Sequence, residues 1–188
     1  MSFWYALFRS ARQGPAQVLQ LFPSWPRLLL GAAGVFSIGA ACADSGPMLP
    51  RNTPSAYNQE CAACHTAYPP GMLPAKSWSR LMGGLEKHYG TDASLDPATV
   101  QQLGLWLQQN AGTYKRVSEE PPQDRITRSA WFVRKHRKVE DATWRLASVK
   151  SAANCAACHA GADKGVYDDD DLVFPAGLSA AQRWAWRD

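Results

Sequence analysis

The chain has 188 residues, 46% of them hydrophobic and 19% charged, which bounds it to one compact domain or two small ones and excludes both a large multidomain enzyme and wholesale disorder. Its formal net charge of +4 owes most to Arg9, Arg12 and Arg27, which precede position 44 in a stretch with no acidic residue; the remainder carries 17 basic against 16 acidic residues, a net of +1. Charge therefore gives no support to a nucleic-acid partner.

Leu28 to Ala41 is a 14-residue apolar run that leads into Ala41-Cys42-Ala43, whose small first and third residues suit a signal peptidase. The pattern predicts a secretory signal peptide over 1–43, cut before Asp44, and a periplasmic mature chain. At about 1.5 Å per residue the run is too short for ~30 Å of hydrocarbon, so a stable membrane anchor is the weaker reading. Gly39 stands where a lipoprotein signal carries a branched apolar residue, which argues against lipidation of Cys42.

Asp44 to Pro54 holds three prolines and a glycine without apolar periodicity and reads as an extended arm. Helix signals follow in order. Ser55–His65 is short and ends at Tyr68-Pro69-Pro70-Gly71. Ser77–Tyr89 places Trp78, Leu81, Met82, Leu85 and His88 at helical spacing, stopped by Gly90. Asp96-Pro97 opens a third, with Val100, Leu103, Trp106 and Leu107 inward, ending near Gly112. The polar, proline-bearing stretch Ser118–Gln123 is the best internal boundary, dividing a first half, 44–117, from a second, 118–188. Beyond it Ile126–Val139 and Ala142–His159 both read as helical. With no alternating strand pattern, the predicted fold is mostly α with long loops.

Cys61-Ala62-Ala63-Cys64-His65 recurs as Cys155-Ala156-Ala157-Cys158-His159, and Cys-x-x-Cys-His is the attachment signature of c-type haem. Two thiols three positions apart reach the two vinyl groups of a porphyrin while the next residue aims an imidazole at the iron. Zinc sets rarely place histidine directly after the second cysteine, a thioredoxin-like pair wants a strand–helix setting, and structural disulfides leave the matching histidines unexplained. Two covalently bound c-type haems are therefore expected, one in each half.

The sixth iron position separates carrier from enzyme. The chain has four histidines; after His65 and His159 only His88 and His136 remain, each on an apolar helix face where an unpaired ring is costly to bury. His88 follows His65 by 23 residues and His136 precedes His159 by 23. Four histidines for four axial positions is the simplest count. Methionine is the rival: Met72 in the proline-glycine loop and Met82 could serve the first haem, whereas 118–188 contains no methionine. Local pairing, His65 with His88 and His136 with His159, is preferred over crossed pairing. Trp78, Trp106, Trp131 and Trp144 are read as packing aromatics. Arg125, Arg128, Arg134, Lys135, Arg137 and Lys138 surround His136, either as a solvated face or as a surface for an acidic redox partner or the haem propionates. Asp168–Asp171 reads as an exposed loop rather than a calcium site.

Beyond the two CAACH motifs, the stretches YPPGMLPAKSWSRLMGGLEKHYGTDASLD, RITRSAWFVRKH and SAANCAACHAGADKGVYDDDD resemble the small bacterial dihaem cytochrome c family over about Asn58 to Pro175. The resemblance implies a periplasmic, mainly helical, two-domain electron carrier with bis-histidine haems. It implies that Cys61, Cys64, Cys155 and Cys158 attach haem, that His65 and His159 are proximal ligands, and that His88 and His136 are distal ones. Some members work with the sphaeroides haem protein and a membrane b-type cytochrome, so redox partners of those kinds are expected. The expected function is electron transfer, one electron per haem and no bound substrate. The alternatives are a dihaem oxidoreductase of peroxidase or thiosulfate-oxidising type, with one displaceable axial ligand, and a haem-based sensor or structural subunit.

Overall fold

The computed structural model describes residues 47–187; the signal peptide expected over 1–43 lies outside them. The described residues all fall within one compact unit. Among them there is no strand, only isolated bridges pairing His88 with Thr91 and His159 with Leu172. No described helix is long and apolar enough to cross a membrane.

Among the described residues six α-helices are joined by loops and 3-10 turns: α1 Ser55–Cys61, α2 Ala75–Met82, α3 Pro97–Gln109, α4 Ala130–Lys135, α5 Asp141–Trp144 and α6 Ala180–Arg187. Helix α3 forms as its signals predict. The Asp96 carboxylate accepts from the backbone N–H of Ala98 and Thr99 at 3.0 Å each, and Pro97 fills the first turn, where no N–H is needed.

The other predicted helices are shorter, for local reasons. Helix α2 ends at Met82 because Gly83 and Gly84 follow, so His88 sits after the 3-10 turn Leu85–Lys87 instead of on a helix. The predicted Ile126–Val139 helix is interrupted at Ser129, whose backbone is extended and whose hydroxyl accepts from Phe132 N–H at 3.1 Å. Helix α4 therefore starts afresh at Ala130, and His136 occupies its C-terminal cap. The predicted Ala142–His159 helix stops at Trp144. Farther on, Lys150 takes a left-handed φ of 70°. The Ser151 hydroxyl accepts from Ala153 N–H, and the Asn154 amide donates to Val149 O. These side-chain bonds compete with a helical ladder. The second CAACH thus lies on a 3-10 turn.

The apolar core belongs to the first half: Tyr57, Ala67, Leu73, Trp78, Leu103, Trp106 and Leu107 form one buried cluster. Trp78 Nε1–H donates to Pro70 O at 2.8 Å, which satisfies the indole while its body is buried. Gly112 must be glycine here, because an added Cβ would come within 2.5 Å of Gly71 O and 2.7 Å of Val117.

Contacts cross the sequence boundary at 117/118 in several places. Arg80 on α2 donates to Asp124 and to Glu120 at 2.6 to 2.9 Å. Tyr89 Oη–H lies 3.1 and 3.0 Å from the carbonyls of Gln123 and Asp124, and the Arg125 guanidinium sits 4.0 Å above the Tyr89 ring. The N-terminal arm also reaches across: Met48 N–H donates to Gly165 O at 2.8 Å. Gly165 adopts φ +75°, and a Cβ there would lie 2.8 Å from Leu49 N, so the approach depends on glycine.

Candidate functional site

Both pentapeptides open onto one cavity of about 1020 Å³, at the upper end of the roughly 300–1,000 Å³ of ordinary ligand pockets. Its walls include all four motif cysteines, all four histidines, and apolar side chains such as Leu81, Leu85, Ile126, Trp131, Phe132 and Trp144. Helix α1 delivers Cys61, and the turn after it carries Cys64 and His65.

The histidines approach in two local pairs. The His65 and His88 ring centroids are 6.2 Å apart with planes 25° from parallel; those of His136 and His159 are 6.3 Å apart with planes at 79°. Among the described residues no three His, Cys, Asp or Glu side chains converge as a bare metal site. A metal held at about 2 Å by the near nitrogen of each ring would set two imidazole centroids about 6 Å apart, and each pair has that separation, so the residues present fit a pair of irons. Met72 is buried in the cavity wall and Met82 also lines it, but the ring facing His65 at this distance is His88.

The remaining ring nitrogens divide in an instructive way. His65 Nδ1 lies 2.7 Å from Thr66 O, and His136 Nδ1 lies 2.9 Å from Phe132 O. A backbone carbonyl can accept only from a protonated Nδ1, which leaves Nε2 as the lone-pair nitrogen available to a metal. His88 Nδ1 and His159 Nδ1 are buried with no partner, an arrangement costly for rings without another role. Burial also lowers the pKa of His88, His136 and His159, helped for His88 by nearby His65 and for His159 by nearby His136. The neutral, ligating form is favoured at all three.

The four described cysteines are free thiols. Burial pushes Cys61 and Cys155 up to about 11 and raises Cys158 as well. Reactive dithiol motifs have the opposite shift, toward thiolate. The donor set therefore fits haem attachment and not thiol–disulfide exchange.

Aromatic rings pack against each histidine. Tyr68 stacks on His65 (4.8 Å, 18°) and Phe132 on His136 (3.9 Å, 20°), while Tyr89 meets His88 edge-on at 4.9 Å and Tyr167 leans on His159 at 5.5 Å. Tyr68, Tyr167 and Trp186 also line the cavity, and none of the three is marked by the motifs or the predicted helices of the sequence. Trp186 comes from α6, which was not predicted although its signal is present. Ser179 and Gln182 form a reciprocal capping box, the Ser179 hydroxyl accepting from Gln182 N–H at 3.2 Å and the Gln182 amide oxygen accepting from Ser179 N–H at 2.9 Å,. Trp186 Nε1–H then donates to Lys138 O at 3.2 Å. Of the packing tryptophans expected from sequence, Trp78 and Trp106 are core residues and Trp131 and Trp144 line the cavity.

The family model described as dihaem cytochrome c matches residues 57–167. Three solved structures are similar. A crystal structure of DHC purified from Rhodobacter sphaeroides shares 43% identity at a TM-score of 0.53, covering 61% of this chain and 97% of that one. A diheme cytochrome c from the same organism shares 40% at 0.55, covering 62% and 98%. A diheme cytochrome type c from Shewanella baltica OS155 shares 35% at 0.56, covering 66% and 93%. No curated protein matches.

Proposed function

Since the chain belongs to the dihaem cytochrome c family, it carries two covalently bound c-type haems and takes part in electron transfer, and we propose that it does so as a periplasmic carrier of one electron per haem rather than as an enzyme. The observation that carries this reading is the pairing of every histidine in the chain, His65 with His88 at 6.2 Å and His136 with His159 at 6.3 Å. With these pairs as ligands, each iron would be closed on both sides and no position would be left for substrate.

Cys61 and Cys64 would attach the first haem and Cys155 and Cys158 the second; His65 and His159 would be the proximal ligands and His88 and His136 the distal ones. When bound, the haems supply the one-electron chemistry. The chain's own part is to hold and shield. Thr66 O and Phe132 O fix the tautomer and direction of His65 and His136, and the apolar wall limits the access of water to the half-buried His88, His136 and His159, while His65 is exposed; less water at the ligands means less reorganisation as charge arrives and leaves. The apolar run over 28–41 before Ala41-Cys42-Ala43 supports export.

The partners proposed are redox proteins, a sphaeroides-haem-protein-like cytochrome on one side and a membrane b-type cytochrome on the other. Arg128, Arg134, Lys135, Arg137 and Lys138 are all exposed around α4, next to exposed Val133, and this basic face beside His136 suits an acidic docking patch. Reversing Arg134 and Lys138 together should slow electron exchange with an acidic partner and flatten its dependence on ionic strength.

Near-infrared magnetic circular dichroism of the oxidised protein tests the ligation, because it reports axial pairs directly. His/His at both irons and little carbon monoxide binding on reduction are expected. A His/Met band, or rapid stoichiometric carbon monoxide binding, would overturn the carrier reading in favour of a dihaem oxidoreductase or sensor.

A further inference from the structure

The two histidine pairs share a spacing but not an orientation. His65 and His88 stand 25° from parallel, whereas His136 and His159 stand at 79°, close to crossed. An imidazole on iron donates π density from the orbital perpendicular to its own plane. Two near-parallel rings load one iron d orbital and split it from its neighbour. Two crossed rings load both orbitals alike and leave them nearly degenerate. The same four donor atoms thus produce two electronically different centres.

The chain sets these planes with contacts of its own. His136 is clamped twice by one residue: the Phe132 ring stacks on it at 3.9 Å and 20°, and the Phe132 carbonyl accepts from its Nδ1 at 2.9 Å. Phe132 is itself buried, set against Trp144 at 6.1 Å, so it cannot follow a turning imidazole. At the first site Tyr68 stacks on His65 at 4.8 Å and 18°, and Thr66 O takes its Nδ1. Orientation by such neighbours is a recognised means of tuning a ligand.

We propose that Phe132 is a positioning residue that turns the His136 ring across that of His159 and so makes the second iron a strongly anisotropic low-spin centre, while Tyr68 keeps His65 near-parallel to His88 and the first iron rhombic. The inference rests on the assignment of these four histidines as ligands.

Low-temperature electron paramagnetic resonance of the oxidised holoprotein reads it, with near-infrared magnetic circular dichroism on the same sample as a separate check of ligation. The expected spectrum holds one rhombic signal with three resolved g values and a second dominated by a single g value well above the largest of the first. Phe132→Leu, which removes the stack but leaves the carbonyl, should shift that high g value down toward the rhombic range. Phe132→Tyr, which keeps the stack, should restore it, and Tyr68→Leu should move only the rhombic signal. Two rhombic signals in the native protein, or a Phe132→Leu spectrum unchanged in g, would overturn the proposal while His/His bands leave the ligation standing. A His/Met band would instead remove the ligand assignment beneath it.

Discussion

Tyr68 donates its hydroxyl to the carbonyl of Ala153 at 2.6 Å, across 85 positions of sequence. Its ring stacks on His65, and Ala153 stands two residues before Cys155, so one side chain joins the loop behind the first CAACH to the approach of the second. Tyr57 steadies the same loop by donating to Tyr68 O at 2.5 Å. Tyr68→Phe keeps the ring and removes the bond, leaving Ala153 O without this donor. Stability of the holoprotein should fall by about 1 kcal/mol, measured by guanidinium unfolding followed at the Soret band, with the electron paramagnetic resonance of the first iron unchanged.

The chemistry was legible where it depends on residue type and spacing, and the fold was legible only where local signals are undivided. The CAACH repeats and the count of four histidines bring out the same residues that line the cavity. Helix α3 was legible because Asp96, Pro97 and its apolar face agree. The helix expected over 142–159 was not, because Ser151 and Asn154 give the backbone other partners. The planes of the histidine rings were out of reach altogether. They depend on contacts such as Phe132 against His136, whose geometry arises from a cap at Ser129 that periodicity alone does not reveal.

Among the described residues the buried apolar cluster lies entirely in residues 57–107, whereas the second half buries only Phe132, Val149, Ala162 and Leu178 of its apolar side chains, proline aside. A segment of roughly 70 residues gains only a few kcal/mol from its own core. The second half therefore leans more on its haem. Cys155→Ala with Cys158→Ala should leave 118–188 open to limited proteolysis, while Cys61→Ala with Cys64→Ala should be milder; mass spectrometry checks that each variant has lost one haem. Equal protection of both halves in the two variants would contradict this.

Leu103 is fully buried at the centre of the first cluster. Truncation removes its contacts with surroundings that cannot collapse completely, so Leu103→Ala should cost about 2–5 kcal/mol. Chemical denaturation measures it, and the ligation spectra should not change, because Leu103 does not line the haem cavity.

Burial raises the pKa of Tyr57, Tyr68 and Tyr167 above the ordinary value of 10.0, for Tyr68 to about 12. With the folded values raised, the unfolded chain ionises first as pH climbs, so their contribution is fully present below pH 10 and is lost from there upward through the folded values. The holoprotein should show a steep alkaline unfolding limb, seen in far-ultraviolet circular dichroism against pH. Tyr167→Phe should make that limb shallower; a limb identical to the native one would count against burial of the phenols as its cause.

The two histidines proposed as distal ligands, His88 and His136, are held unequally. His136 is stacked on Phe132 and bonded through Nδ1 to its carbonyl, whereas His88 Nδ1 has no partner and the next two residues, Tyr89 and Gly90, take left-handed φ values of 52° and 97°. Outer contacts of the kind His136 has are worth about 10–100-fold in metal affinity. His88→Ala and His136→Ala should each turn one haem high spin and leave the other low spin, because the pairs are separate. In the unaltered protein, rising urea should release His88 first. Magnetic circular dichroism would then show half the low-spin intensity lost at a lower urea concentration than the remainder, and Phe132→Leu should narrow that gap by weakening His136. Loss of both halves together in the native protein would mean that the unpaired Nδ1 of His88 carries no penalty for ligation.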